Sequence, residues 1–388
     1  MRYKERLYIL IALLIFALKI DSQIIKVDID PLDQPKGTLT LSDLVEQVEY
    51  IPLETNGNCS VGKIASYDVS ENYIVVLNSQ ANKVFLFNKN GRFVTQIGRQ
   101  EQDGSDFFSP KCVYLDELKN CVYVHDNHKL LMYDFSGKLL NSFSFDFCNN
   151  YSIYAYNDNR FVSGILNDLC KEEDSVYGIW DSTMNLEKKG VKAVSVELKG
   201  RVSVVWPLIS CYIYHGYPHL KESLLNDTIY LLDKNNEFNP QYIINCGKYG
   251  MTAEVKGDAD HFFENLRSGK YIGGMTFLET PHFLLSKYEY MAKWLPCYFD
   301  KKLKKLLYFD STGGIPDDYA GGIDFWPDKQ KNNEWYCFIN ASDFLEKYSK
   351  QNKLTLKGSA ASIQKVQSLL TMLSKDDNPV LIIAKIKE

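Results

Sequence analysis

This 388-residue chain lacks the features that most often give a function away. No apolar run reaches the roughly 20 residues of a membrane-spanning helix; the one at the N-terminus, Leu7 to Leu18, has twelve. Cysteine occurs nine times, an odd number, with no CxxC pair, which removes zinc ribbons and thioredoxin-like redox motifs. There is no G-x-S-x-G elbow, no glycine loop followed by Lys for phosphate, and no D-x-D-x-D-G loop for calcium. Basic residues are not in excess either: 44 Lys and Arg stand against 49 Asp and Glu, for a net charge of -5. Nucleic-acid binding rests on clusters of cations that neutralise phosphates, so that class is excluded.

What is present begins with an address. Arg2, Lys4 and Arg6 precede the twelve apolar residues, and Lys19 and Asp21-Ser22-Gln23 follow them. A basic start, a short apolar core and a small residue at Ser22 are the pattern of a signal peptide over residues 1–22, leaving 23–388 as the mature domain. The first cysteine is Cys59, so no lipid-anchoring cysteine lies near the cut. Most cysteines sit inside apolar stretches, where a buried free thiol is the ordinary reading. Cys112 and Cys121 flank a segment that folds back around Asp116 to Lys119, and an oxidising compartment would permit a disulfide between them.

The body of the chain repeats. KVFLFNKNGRFVTQIGR (83–99) reads as strand, turn, strand: Asn88 can fold its side chain onto the backbone, and Gly91 supplies a positive φ. KLLMYDFSGKLLNSF (129–143) repeats it, with Asp134 and Gly137 in the corresponding places. Apolar strands ending on Asn or Asp recur at positions 88, 134, 181, 233, 300 and 340, at spacings of 46, 47, 52, 67 and 40. Further β-rich runs between them leave room for about four short strands per period. The expected fold is therefore all-β, a six-bladed β-propeller with four-stranded antiparallel blades. Asp343–Lys350 and Ser359–Ser374 interrupt the pattern as a short helical insertion before a closing strand, PVLIIAKIK (379–387). Val48–Glu54 is its obvious partner, so that the N- and C-terminal strands share a blade.

VEYIPLET (48–55), FNKNGRFVTQIGR, NDTIYLLDKNNEFNPQYIINCGKYG (226–250), GGIDFWP (321–327) and DNPVLIIAKIK, in this order and spacing, resemble an exported six-bladed β-propeller family of Gram-negative bacteria, catalogued as a domain of unknown function. The resemblance covers about residues 40 to 388. It implies a propeller in the periplasm or on the outer cell surface, similar to NHL-type propellers that mainly bind partners. The sequence leaves the family pattern at QEQDGSDFFSP (100–110), after IGR, and in lacking an anchoring cysteine.

Chemistry is thin. Asp317-Asp318 and Glu172-Glu173-Asp174 read as solvated loops, and the His125-x-x-His128 pair as part of a polar turn. His215-x-x-x-His219 contains Gly216 and Pro218, which rules out the helical pair of a zinc protease. No cofactor is expected, with a channel-bound divalent cation as the exception to test. Aromatic residues make up 13% of the chain and concentrate in WPLISCYIYHGYPH (206–219). The ligand-binding candidates are Trp206, Tyr212, His215 and Tyr217, with Arg99, Asp103, Asp318 and Trp326 from loops at one face of a ring. At the mouth of a channel such rings suit a sugar or peptide; between blades they are packing. The leading expectation is a noncatalytic module, monomeric or part of an envelope complex, that binds a glycan, peptide or envelope protein. The alternative is a metal-dependent propeller enzyme, lactonase- or lyase-like, with its site in the central channel.

Overall fold

In a computed structural model of the protein, the described residues are 24–388 apart from 79, 99–106, 127–128, 145–152, 157–159, 165–174, 193–208, 223–226, 253, 256–257, 259, 323 and 350–355. The signal segment, Arg99, Asp103, His128, Glu172–Asp174 and Trp206 lie outside them.

β1 (Ile25–Asp28) and β2 (Val45–Pro52) precede the repeating part. β3 (Ile64–Val69), β4 (Tyr73–Asn78), β5 (Lys83–Asn88) and β6 (Phe93–Ile97) form the first four-stranded antiparallel sheet. The second holds β7 (Pro110–Asp116), β8 (Cys121–Asp126), β9 (Lys129–Asp134) and β10 (Leu139–Ser144). The third holds β11 (Tyr154–Tyr156), β12 (Arg160–Gly164), β13 (Ser175–Trp180) and β14 (Leu186–Lys192). After β15 (Ile209–Tyr214), β16 (Tyr217–Glu222), β17 (Thr228–Leu232) and β18 (Phe238–Asn245), another separate sheet is made by β19 (Ile272–Glu279), β20 (Phe283–Tyr290), β21 (Lys293–Asp300) and β22 (Lys305–Tyr308). A two-stranded ribbon of β23 (Ile315–Pro316) and β24 (Asp324–Phe325) leads to β25 (Lys329–Lys331), β26 (Glu334–Ile339) and β27 (Val380–Ile386).

These strands make a propeller-like ring of four-stranded antiparallel sheets. The repeat predicts six separate sheets; four stand apart. The remaining strands join in one nine-stranded sheet, β1-β18-β17-β16-β15-β25-β26-β27-β2, because Ile213 of β15 pairs in parallel with Lys331 of β25. β2 pairs antiparallel with β27, Val48 opposite Ala384 and Tyr50 opposite Ile382.

The long apolar runs follow from this layering. A strand covered on both faces has no polar side to alternate with. In the first sheet Ile74, Val76, Phe85 and Phe87 enter one core, while Val75, Leu77, Val84 and Leu86 enter the next. Aromatic residues fill the wedges, as with Tyr212, Tyr242, Phe277, Tyr288, Phe299 and Tyr308 in one shared core. Each such ring contributes about 1.5–3 kcal/mol on burial.

The repeated Asn or Asp has one structural job. Asn88, Asp134, Asp181 and Asp233 each accept, through Oδ1, the backbone N–H groups two and four residues ahead, at 2.8 to 3.1 Å. Asp300 takes those of Lys302 and Leu303. The left-handed residue that closes each turn is Gly91, Gly137, Met184, Asn236 and Lys304 in the five copies. Gly91 is also fixed by packing: a Cβ there would lie 2.2 Å from the carbonyl oxygen of Pro52, and its own carbonyl accepts the Glu54 N–H at 2.7 Å. Asn340 departs from the set. It follows β26 and leads into the helix Ala341–Ser349, its carbonyl accepting the Phe344 N–H.

The segment before β2 works as a strap. β1 adds to β18 in parallel, Lys36 bridges to Tyr308 at the end of β22, and β2 borders β27. One stretch of chain thus covers three successive sheet edges that would otherwise present open backbone groups.

Two expectations are corrected and one open question, the pairing of Cys112 with Cys121, is answered. Cys112 and Cys121 are both free thiols. The turn falls at Glu117–Asn120, and a register shift places Cys112 opposite His125 and Cys121 opposite Asp116. His125 is no turn residue but lies fully buried in β8, its Nδ1 3.4 Å from Cys112 Sγ. Asp317 and Asp318 are buried rather than solvated. Asp317 accepts the N–H groups of Tyr319, Ala320 and Gly322. Asp318 accepts the Ser42 N–H and the Thr40 and Ser42 hydroxyls, and meets Lys357 Nζ at 2.9 Å. Both helices occur, at Ala341–Ser349 and Ala360–Met372, the second capped by Ser359 as its sequence predicts.

Candidate ligand site at the inner hairpin of β15 and β16

The first strands of neighbouring sheets meet at the centre of the ring, and polar groups converge there. From β3, Asp68 faces Lys329 Nζ at 2.9 Å and Lys331 Nζ at 3.5 Å. Its other oxygen accepts the Leu115 N–H of β7. Burial raises the Asp68 pKa, but the two ammonium groups outweigh it and hold the carboxyl at about 2. Tyr67 donates its hydroxyl to Asp328. Asp328 is exposed as a residue, yet protein crowds its carboxyl; that loss of water raises its pKa to about 6 against the opposing pull of Tyr67 and Lys329.

A second cluster surrounds Glu279 at the end of β19. Its carboxylate accepts the Tyr212 hydroxyl at 2.9 Å, the Tyr242 hydroxyl at 2.5 Å and Lys301 Nζ at 2.6 Å, with His219 Nε2 at 3.7 Å. Gln330 of β25 clamps the Glu279 backbone, receiving its N–H and donating to its carbonyl, both at 2.7 Å. Burial pushes Glu279 up, and Lys301, His219 and the hydroxyl donors bring it below the usual carboxylate value. Burial also lowers the His219 pKa, with Glu279 opposing.

From this buried base a ladder of rings runs outward. Tyr212 stacks on His219 with centroids 4.8 Å apart and planes 12° from parallel; Tyr214 lies 6.1 Å from His219 and 4.1 Å from His215. His215 and Gly216 both have positive φ and form the two-residue turn that lets β15 and β16 pair from Tyr214 opposite Tyr217. Asn332 ties this turn to the next hairpin, donating its N–H to the Ile213 carbonyl and accepting the Gly216 N–H at 3.0 Å. Lys301 Nζ sits 5.7 Å from the Tyr214 ring centre. His215 is exposed, while Tyr214 and Tyr217 are half-buried. Burial pushes the Tyr214 hydroxyl up to about 12, so it stays a donor at neutral pH.

The described candidates therefore do not form one site. Tyr212, His215 and Tyr217 belong to this hairpin, with Tyr212 buried as packing and the other two at its tip. Trp326 lies ahead of the start of β25, whereas Asn332 follows its end; it packs on Phe309 and carries Lys287 Nζ 5.4 Å from its ring centre. Asp318 is spent on the segment before β2. Sequence reading missed Glu279, Lys301, Tyr242 and Gln330, which come from distant positions and carry no local motif. The one local signal was an acid closing the apolar strand MTFLE. Among the described residues no group of three or more His, Cys, Asp or Glu is arranged to hold a metal ion.

Comparison with known proteins places the molecule in a class: the chain belongs to the family described as Domain of unknown function (DUF4934), which matches residues 23–385. The structure is similar to that of a Bacteroides fragilis protein named as exported, at 16% identity and TM-score 0.68, covering 94% of this chain and 100% of that one. A member of the duf4221 family from Bacteroides vulgatus aligns at 10% identity and TM-score 0.48, over 92% and 99% of the two chains. No curated protein matches the sequence. The first of these likenesses, at TM-score 0.68, speaks for the fold alone. No helix among the described residues is long and apolar enough to cross a membrane.

Proposed function

We propose that this protein is an exported, noncatalytic propeller that binds a glycan at the end of the ring formed by the β15–β16 turn. The observation that carries this reading is the Tyr214–His215 ring pair held beside Lys301 and Asn332. Flat rings next to fixed donors and acceptors suit a sugar, whose apolar face stacks while its hydroxyls hydrogen-bond. We count six blades: the four separate sheets, plus β15–β18 and β25-β26-β27-β2 as two more that touch at a single parallel pairing. Export fits the N-terminal signal pattern and the named exported likeness. A noncatalytic role fits an axis where Lys329 and Lys331 already occupy the Asp68 carboxylate, leaving a divalent cation to compete with two ammonium groups for it.

Glycan-array binding by the mature protein tests the reading. Loss of binding in Tyr214→Ala and His215→Ala, with an unchanged melting curve, supports it; retained binding in both variants moves the site elsewhere. Tyr212→Ala is unsuitable for this purpose, because it removes a buried ring and orphans Glu279.

A further inference from the structure

The turn between β21 and β22 reads Asp300-Lys301-Lys302-Leu303-Lys304-Lys305, four lysines against one aspartate in an otherwise acidic chain. Its shape is set internally: Asp300 Oδ1 takes the N–H groups of Lys302 and Leu303, and Lys304 closes the turn at φ 54. The four ammonium groups divide into two kinds. Lys301 turns inward to Glu279 and the Thr280 carbonyl and lies against the Tyr214 ring. Lys302, Lys304 and Lys305 are exposed, and none makes an ion pair with a carboxylate among the described residues. His282, also exposed, joins the same end through its carbonyl, which accepts the Lys301 N–H at 3.0 Å. Lys305 lines a pocket with Asp28, Asp30 and Asp33, so the cations left without a facing carboxylate are Lys302 and Lys304, on the turn whose Lys301 lies against the Tyr214 ring of the Tyr214–His215 pair.

Resting on the glycan reading above, we propose that the ligand is an anionic polysaccharide. Its sugar rings lie against Tyr214 and His215, and its carboxylate or sulfate groups face the lysine turn. Fixed cations beside a stacking surface give affinity for a chain that alternates flat apolar faces with negative charge, and little for a neutral one. A polypeptide anion would meet the same lysines without using the rings.

The experiment is calorimetric titration of the mature protein with oligogalacturonate, its methyl ester, chondroitin sulfate fragments and polyglutamate. At low salt we expect one of the two anionic sugars to bind at least about tenfold more tightly than the methyl ester, an advantage lost by about 0.5 M salt as screening sets in. The paired substitution Lys302→Glu and Lys304→Glu, both on an exposed turn, should abolish that advantage without moving the melting temperature. Equal affinity for oligogalacturonate, chondroitin sulfate and the methyl ester overturns the anion inference while leaving glycan binding intact. No binding of any sugar removes both. Polyglutamate binding as tightly as the better anionic sugar overturns the polysaccharide in favour of an acidic peptide.

Discussion

Single residues at repeated turns differ in what they tolerate. Gly91→Ala should cost about 2 kcal/mol, since it adds both a strained φ and a clash with Pro52. Lys304→Gly should raise stability by about 0.5–1 kcal/mol, because Lys304 holds a left-handed φ that glycine adopts without steric cost. Urea melts of the two variants check both signs. Asp328 gives a pH test. With its folded pKa raised from 3.8 to about 6, ionising it is harder in the folded chain, so its contribution worsens as pH climbs through that window and is harmless below it. Asp328→Asn should therefore raise the melting temperature above pH 6 and change little near pH 4; the opposite pattern would refute the raised pKa. At this scale the sequence showed the Asx positions, because a side chain bonding two to four residues ahead is a local event. It hid Glu279, whose partners Tyr212, Tyr242 and Lys301 come from three other strands or turns.

Among elements, β27 bears the greatest weight, lying between β26 and β2 and buried at six of its seven positions. Deleting residues 379–388 should prevent cooperative unfolding altogether, whereas an unchanged melting curve would count against the pairing. Asp318→Ala should cost about 2–4 kcal/mol by stranding the donors of Thr40, Ser42 and Lys357. The strands were legible because a run buried on both faces is a continuous apolar word bounded by turn residues. The strap was not: β1 has only four residues, and its place beside β18 is decided by an edge some 200 positions away.

For the molecule as a whole, the period near 50 residues carried the architecture, and the family match carried the grouping. Neither carries the ligand, because packing between sheets consumes the same aromatic residues that would stack on a sugar. Tyr212 and His215, three positions apart on one hairpin, end in opposite circumstances. Elemental analysis of purified protein should find no stoichiometric metal; one metal per chain would favour the enzymatic alternative over the noncatalytic reading.

The pairing of β2 with β27 also sets a timetable. β2 is made early, yet its neighbour β27 follows the Ser362 hydroxyl that donates to the Val48 carbonyl from 314 positions away. A chain emerging N-terminus first carries the buried Val45, Val48, Tyr50 and Ile51 of β2 without their partner until β27 has been made. Contacts of such length close slowly. Closing the seam between β2 and β27 is thus a late step of folding, set by the separation of its two strands in the chain.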